Sequence, residues 1–176
     1  MYKHYVFFLT IIFGIAASPI AISEEAQYQI KPAPMALKYF VALEGVWVGT
    51  QLNHQGEKKM IELVYRTVSG GTAVEEKIFV NTPQEMVTMY YGDDDGGLLM
   101  THYCMLGNQP RLKLENSHEI AFNFKYLDGV GIDREKTAHM GGMRMTILNE
   151  NTIEQEWDYF EEGKVKNTSS FIFTRK

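Results

Sequence analysis

A single cysteine, Cys104, among 176 residues leaves this chain no internal disulfide, so its stability has to come from packing. A buried small hydrophobe is the plain reading of that thiol, with a nucleophile as the sharper one. Basic residues are scarce. Seventeen lysines and arginines stand against 22 aspartates and glutamates, a formal charge of −5 that argues against nucleic acid or an anionic membrane as partner. Long apolar runs are missing too: the longest, residues 6–17, falls short of the roughly 20 residues that span a bilayer. No helical span is long enough to cover a sheet face, which argues against helices layered on a sheet. His54, His102, His118 and His139 show no metal-ligand spacing, so neither a zinc site nor any other metal site is expected. Nothing resembles a covalent haem attachment. The acidic turn Asp93-Asp94-Asp95-Gly96 lacks the downstream glutamate of a calcium loop and reads as a solvated hairpin tip.

What is present begins with an export signal. A short cationic start containing Lys3 precedes the apolar run 6–17, and Ala21 and Ser23 occupy the positions a signal peptidase reads. This layout assigns residues 1–23 to a signal peptide cleaved after Ser23, 24–34 to an extended segment and 35–176 to a single β-barrel domain. The expected location is secreted or periplasmic, with no integral membrane association after processing. The remaining chain, roughly 150 residues, is enough for one domain with a substantial core, expected as a monomer or weak dimer.

Pro32 and Pro34 precede a stretch whose apolar residues, Ala36, Leu37, Phe40, Val41 and Leu43, mostly follow one helical face, and Gly45 ends it. Beyond Gly45 the pattern changes to strands. Ten are expected, at residues 46–52, 60–68, 72–80, 85–92, 98–105, 111–115, 119–126, 139–148, 152–160 and 165–174. Most links between them are tight, such as Ser69-Gly70-Gly71 and Glu161-Glu162-Gly163-Lys164, which forces antiparallel neighbours. A ten-strand meander has two unpaired edges, and closing it into a barrel removes both. The fold class is therefore all-β: an antiparallel up-and-down barrel of about ten strands with one short N-terminal helix. The one long link, residues 127–138, is placed at the rim of the barrel, where it can cover a mouth.

The short helix followed by Gly45-x-Trp47-x-Gly49 on the first strand resembles the calycin group of barrels, namely lipocalins, fatty-acid-binding proteins and haem-binding nitrobindins. The resemblance implies that Trp47 closes one end of the barrel. Three further segments are similar to a family of uncharacterised bacterial barrels: Gly70-Gly71-Thr72-Ala73-Val74-Glu75-Glu76, Thr101-His102-Tyr103-Cys104 and Gly107-Asn108-Gln109-Pro110-Arg111. That family implies the fold and carries over no activity. Where its members have His-Met-His this chain has His139-Met140-Gly141, so a paired-histidine role is not carried over.

Side chains two apart on a strand share a face, so the inner wall can be read from parity. Glu76 falls with Val74 and Ile78, His102 with Leu98 and Met100, Gln155 with Ile153 and Trp157, and His139 with Met143 and Met145. Arg66 falls with Met60, Val64 and Val68, although its opposite parity is also apolar. A few polar groups converging in an apolar wall is how ligand pockets are built. The expected ligand-binding set is Glu76, His102, Gln155, Arg66 and His139, with Arg111 at the mouth, and the expected function is to hold a small, partly apolar molecule. No catalytic residue is assigned. A satisfied core network that fixes strand register is the competing reading. The alternatives are an acid/base enzyme using Glu76 and His102, and haem held by His102 or His139 as the nitrobindin resemblance implies.

Overall fold

The computed structural model describes residues 33–52, 58–118 and 120–176. The expected signal peptide at 1–23, with its cleavage point, and the extended segment as far as residue 32 lie outside the described residues. A five-residue helix, α1 (Leu37–Val41), leads into ten strands: β1 (Gly45–Leu52), β2 (Lys58–Val68), β3 (Ala73–Ile78), β4 (Met86–Gly92), β5 (Leu98–Tyr103), β6 (Gln109–His118), β7 (Ala121–Val130), β8 (His139–Asn149), β9 (Thr152–Glu161) and β10 (Lys164–Arg175). Each strand pairs antiparallel with the next, and β1 also pairs with β10, closing the barrel. Closure leaves no strand with a free backbone edge.

Successive strands alternate in direction, so the barrel has two distinct ends. At the end where β1 begins and β10 stops, the helix is the plug. Phe40 stacks on Tyr90 of β4 with ring centroids 4.3 Å apart and meets Phe122 and Phe124 of β7 at 5.3 and 5.9 Å. Strands β4 and β7 are not neighbours in the sheet, so one side chain bridges the barrel bore. Burying it contributes about 1.5–3 kcal/mol, with the ring pairs adding to that.

Trp47 locks the same end. Its indole nitrogen donates to the Leu43 carbonyl at 2.8 Å, and the Arg175 guanidinium lies 4.2 Å from its ring centroid. The flanking glycines are required by space and by conformation. A Cβ at Gly49 would lie 2.7 Å from the Phe173 ring, and Gly45 adopts φ +129°, a conformation open to glycine but not to other residues. Gly45 is thus both the residue that ends the helical stretch and the first residue of β1.

Two stretches depart from the periodicity. Strands β6 and β7 are longer than the alternation predicts, because register shifts between Arg111 and Leu112 and between Leu114 and Asn116 scramble the period of two. Residues 127–130 therefore belong to β7, and the long link shortens to residues 131–138. It lies at the open end, where Asn108 Nδ2 donates to the Ala138 carbonyl at 2.8 Å. Strand β3 stops at Ile78 because Phe79 takes φ +58°. For a bulky residue that is a strained conformation, costing on the order of 1–3 kcal/mol.

Candidate functional site

Strand register builds the inner wall. Glu76 of β3 lies opposite Thr88 of β4, and Thr88 lies opposite His102 of β5, so the three form one row across neighbouring strands. All three are buried. Gln155, also buried, reaches this wall from β9.

Glu76 sits at the centre of a hydrogen-bonded group. Its Oε2 accepts from the Tyr90 hydroxyl at 2.8 Å and from Gln155 Nε2 at 2.9 Å. Gln155 Nε2 also donates to the Tyr65 hydroxyl at 2.6 Å, Gln155 Oε1 accepts from Trp157 Nε1 at 3.1 Å, and the Tyr65 hydroxyl leans on Met145 Sδ at 3.8 Å. Glu76 Oε1 has no hydrogen-bond partner among the described residues. Burial pushes the Glu76 carboxyl above the ordinary carboxylate range, and the donors on Tyr65, Tyr90 and Gln155 pull it part of the way back. The same burial, reinforced by the nearby carboxyl, holds both tyrosine hydroxyls protonated.

His102 belongs to a second, adjoining group. Its Nδ1 lies 3.0 Å from Thr88 Oγ1, and its ring tilts against Trp157 at 4.7 Å. Burial pushes it down to about 4, so the imidazole is neutral at pH 7. Its Nε2 makes no hydrogen bond to the described residues. Here the wall opens into a cavity of about 230 Å³ at the unplugged end, lined by His102, Trp157, Phe79, Met86, Met140 and Phe171 among others. Tyr159 and Ser169 add two hydroxyls to the lining. The indole of Trp157 therefore faces the cavity with its ring and binds Gln155 with its nitrogen, which makes it the partition between the two groups.

Glu76, His102 and Gln155 face the interior as parity indicated; the other three candidates do not. Arg66 points outward, with 67% of its side chain exposed, and pairs with Glu75. Its strand is apolar on both faces, and the larger side chains Ile61, Leu63 and Tyr65 take the inside. Arg111 points outward between the buried Pro110 and Leu112 and pairs with Asp128 on the outer wall. His139 is buried, but a register shift between Met140 and Gly142 turns it to the outer face. It lies opposite Phe160, its ring between Phe160 and Tyr126, and its Nδ1 is 2.7 Å from the Thr137 carbonyl. Met140 takes the inward position and lines the cavity instead.

Tyr65, Tyr90 and Thr88, which partner the acid and the histidine, were not singled out by parity. Tyr90 and Thr88 share a parity with Met86, which was the available signal. Phe79 carried none, since its position depends on a backbone strain that composition does not show.

The geometry also bears on the sharper chemistries. Thr88 stands between Glu76 and His102, and Glu76 does not line the cavity, so the two are not a direct acid/base pair. Cys104 lines the cavity, but burial pushes its thiol up rather than toward the thiolate, and His102 Nδ1 is engaged with Thr88. Among the described residues no group of three or more histidine, cysteine, aspartate or glutamate side chains is placed to hold a metal ion. The cavity of about 230 Å³ is smaller than the ~300–1,000 Å³ typical of pockets for drug-sized molecules. The acidic turn is a hairpin tip, with Asp93 accepting from the Asp95 and Gly97 backbone nitrogens and pairing with Lys113 at 2.8 Å.

No protein-family model matches this chain, and no curated protein does. The closed ten-strand antiparallel barrel is consistent with a calycin-like architecture.

Proposed function

We propose that this barrel holds a small, partly apolar molecule in the cavity at its open end, with no chemistry performed on it. The observation that carries the reading is the asymmetry of the interior. Among the described residues, one end is packed by α1 and aromatic rings, whereas the other keeps about 230 Å³ open beside a histidine nitrogen with no hydrogen-bond partner. Strain at Phe79, whose ring lines that same cavity, adds support, because conformational strain tends to persist where it serves a site. The three methionines on the lining, Met86, Met105 and Met140, suit an apolar guest of irregular outline.

The N-terminal signal pattern supports placing the barrel in the periplasm or outside the cell. Closure of the sheet supports a monomer or weak dimer, since no strand edge is left for a second copy to extend. Native mass spectrometry of the protein purified from its own host tests the reading. The expected spectrum shows the polypeptide plus one small molecule, and the added mass disappears in Ser169→Trp, which fills the cavity. Repeated preparations that show the bare polypeptide mass overturn it.

A further inference from the structure

The lining of the cavity also restricts the kind of guest, an inference that rests on the binding role just proposed. Size comes first. A cavity of about 150 Å³ with apolar walls accepts benzene, so about 230 Å³ admits a ring system roughly half as large again. Shape and polarisability follow from the walls, where the rings of Trp157, Phe79 and Phe171 supply flat faces and the thioethers of Met86 and Met140 pack well against aromatic edges.

Charge is the discriminating feature. Among the described residues no lysine or arginine lines the cavity. Three arginines of the barrel strands lie outside and are engaged: Arg66 with Glu75, Arg111 with Asp128, and Arg144 with Glu156 and Asp158. An ionised guest would leave water for apolar walls and neutral hydroxyls with no counter-charge, at a large desolvation cost. Directional contacts remain at the Tyr159 and Ser169 hydroxyls and at His102 Nε2, of which the imidazole is the buried one. The Thr88 hydroxyl can donate to Nδ1 or accept from it, so Nε2 is either donor or acceptor. A guest hydroxyl satisfies both cases.

We propose that the cavity selects uncharged, compact aromatic molecules of one or two fused rings that carry a single hydroxyl or amine, with His102 Nε2 as the contact for that group. Anionic relatives of the same rings are excluded, because no lysine or arginine among the described residues lines the cavity.

Isothermal titration of the full chain at pH 7 with 2-naphthol and with 2-naphthoate tests this. The expected result is at least tenfold tighter binding of 2-naphthol. His102→Leu, which keeps an apolar side chain of similar reach, should weaken 2-naphthol about tenfold by removing one hydrogen bond. Ser169→Lys, which brings a cation to the lining, should raise the affinity for 2-naphthoate. Equal or tighter binding of 2-naphthoate by the unmodified chain overturns the inference, and an unchanged 2-naphthol affinity in His102→Leu overturns the role of that residue. If neither ring binds while native mass spectrometry shows a retained guest, the selectivity is wrong and the binding role stands. If neither ring binds and no guest is retained, both fail.

Discussion

Trp47→Ala should lower the unfolding free energy by about 3–5 kcal/mol, the range for removing a fully buried large aromatic side chain. Trp47 has no exposed surface, and its loss does more than leave a void. The Leu43 carbonyl loses its indole donor, and Arg175 loses the ring beneath its guanidinium. Arg175 also donates to the carbonyls of Glu44 at 2.8 Å and Ala42 at 3.1 Å, so one contact group ties the helix end to both terminal strands. Domains of this size are stable by about 5–15 kcal/mol in total, so the melting temperature should fall by on the order of 10 °C. Thermal unfolding followed by circular dichroism checks this, and a fall of only one or two degrees would show that the seam between β1 and β10 does not depend on the tryptophan. Arg175→Ala should cost less alone, and the double replacement should cost less than the sum, because both act on one contact group.

Gln155→Leu should cost about 2–4 kcal/mol although the replacement is apolar and close in volume. It withdraws a donor from Glu76 and from Tyr65 together, and it leaves the Trp157 indole N–H without its acceptor. The loss should also depend on pH. Burial raises the Glu76 carboxyl above its ordinary value of 4.5, so between that value and the raised one the folded protein binds a proton that the unfolded chain has released. The contribution of Glu76 to stability is then fully present below about 4.5 and is lost as the pH rises through the folded-state value. Removing the Gln155 donor penalises the ionised carboxyl further, so the gap between Gln155→Leu and the parent should widen from pH 4 to pH 8. Glu76→Gln should abolish this contribution to the slope. Urea unfolding at a series of pH values measures both effects, and a gap that narrows with rising pH would mean that the carboxyl is ionised and held by groups other than these.

The fold was legible because its two signals are local. Alternation with a period of two marked all ten strands, and residues that tolerate positive φ marked most of the turns between them. The interior was legible wherever that alternation runs unbroken, as at Glu76, His102 and Gln155. It failed at bulges. An extra residue reverses the parity beyond it, which is why His139 faces outward while Met140 faces in. The neighbouring Gly141 was the available cue, since a Cβ there would lie 2.6 Å from the Phe160 ring. Arg66 was ambiguous for another reason: β2 is apolar on both faces, so periodicity could not rank them, and the choice fell to volume. The cavity itself had no sequence signature. It exists because α1 fills one end of the bore and no comparable element among the described residues fills the other, a consequence of tertiary packing rather than of any motif.

The central claim, that the guest occupies the open end of the barrel and leaves the plugged end undisturbed, can be read from the two tryptophans of the chain. Trp47 lies in the plug and Trp157 in the cavity wall. Fluorine NMR of protein labelled with 5-fluorotryptophan gives one resonance for each, assigned by comparison with Trp157→Phe. On titration with 2-naphthol the Trp157 resonance should shift to saturation while the Trp47 resonance stays in place. A saturable shift at Trp47 with none at Trp157 would contradict the account.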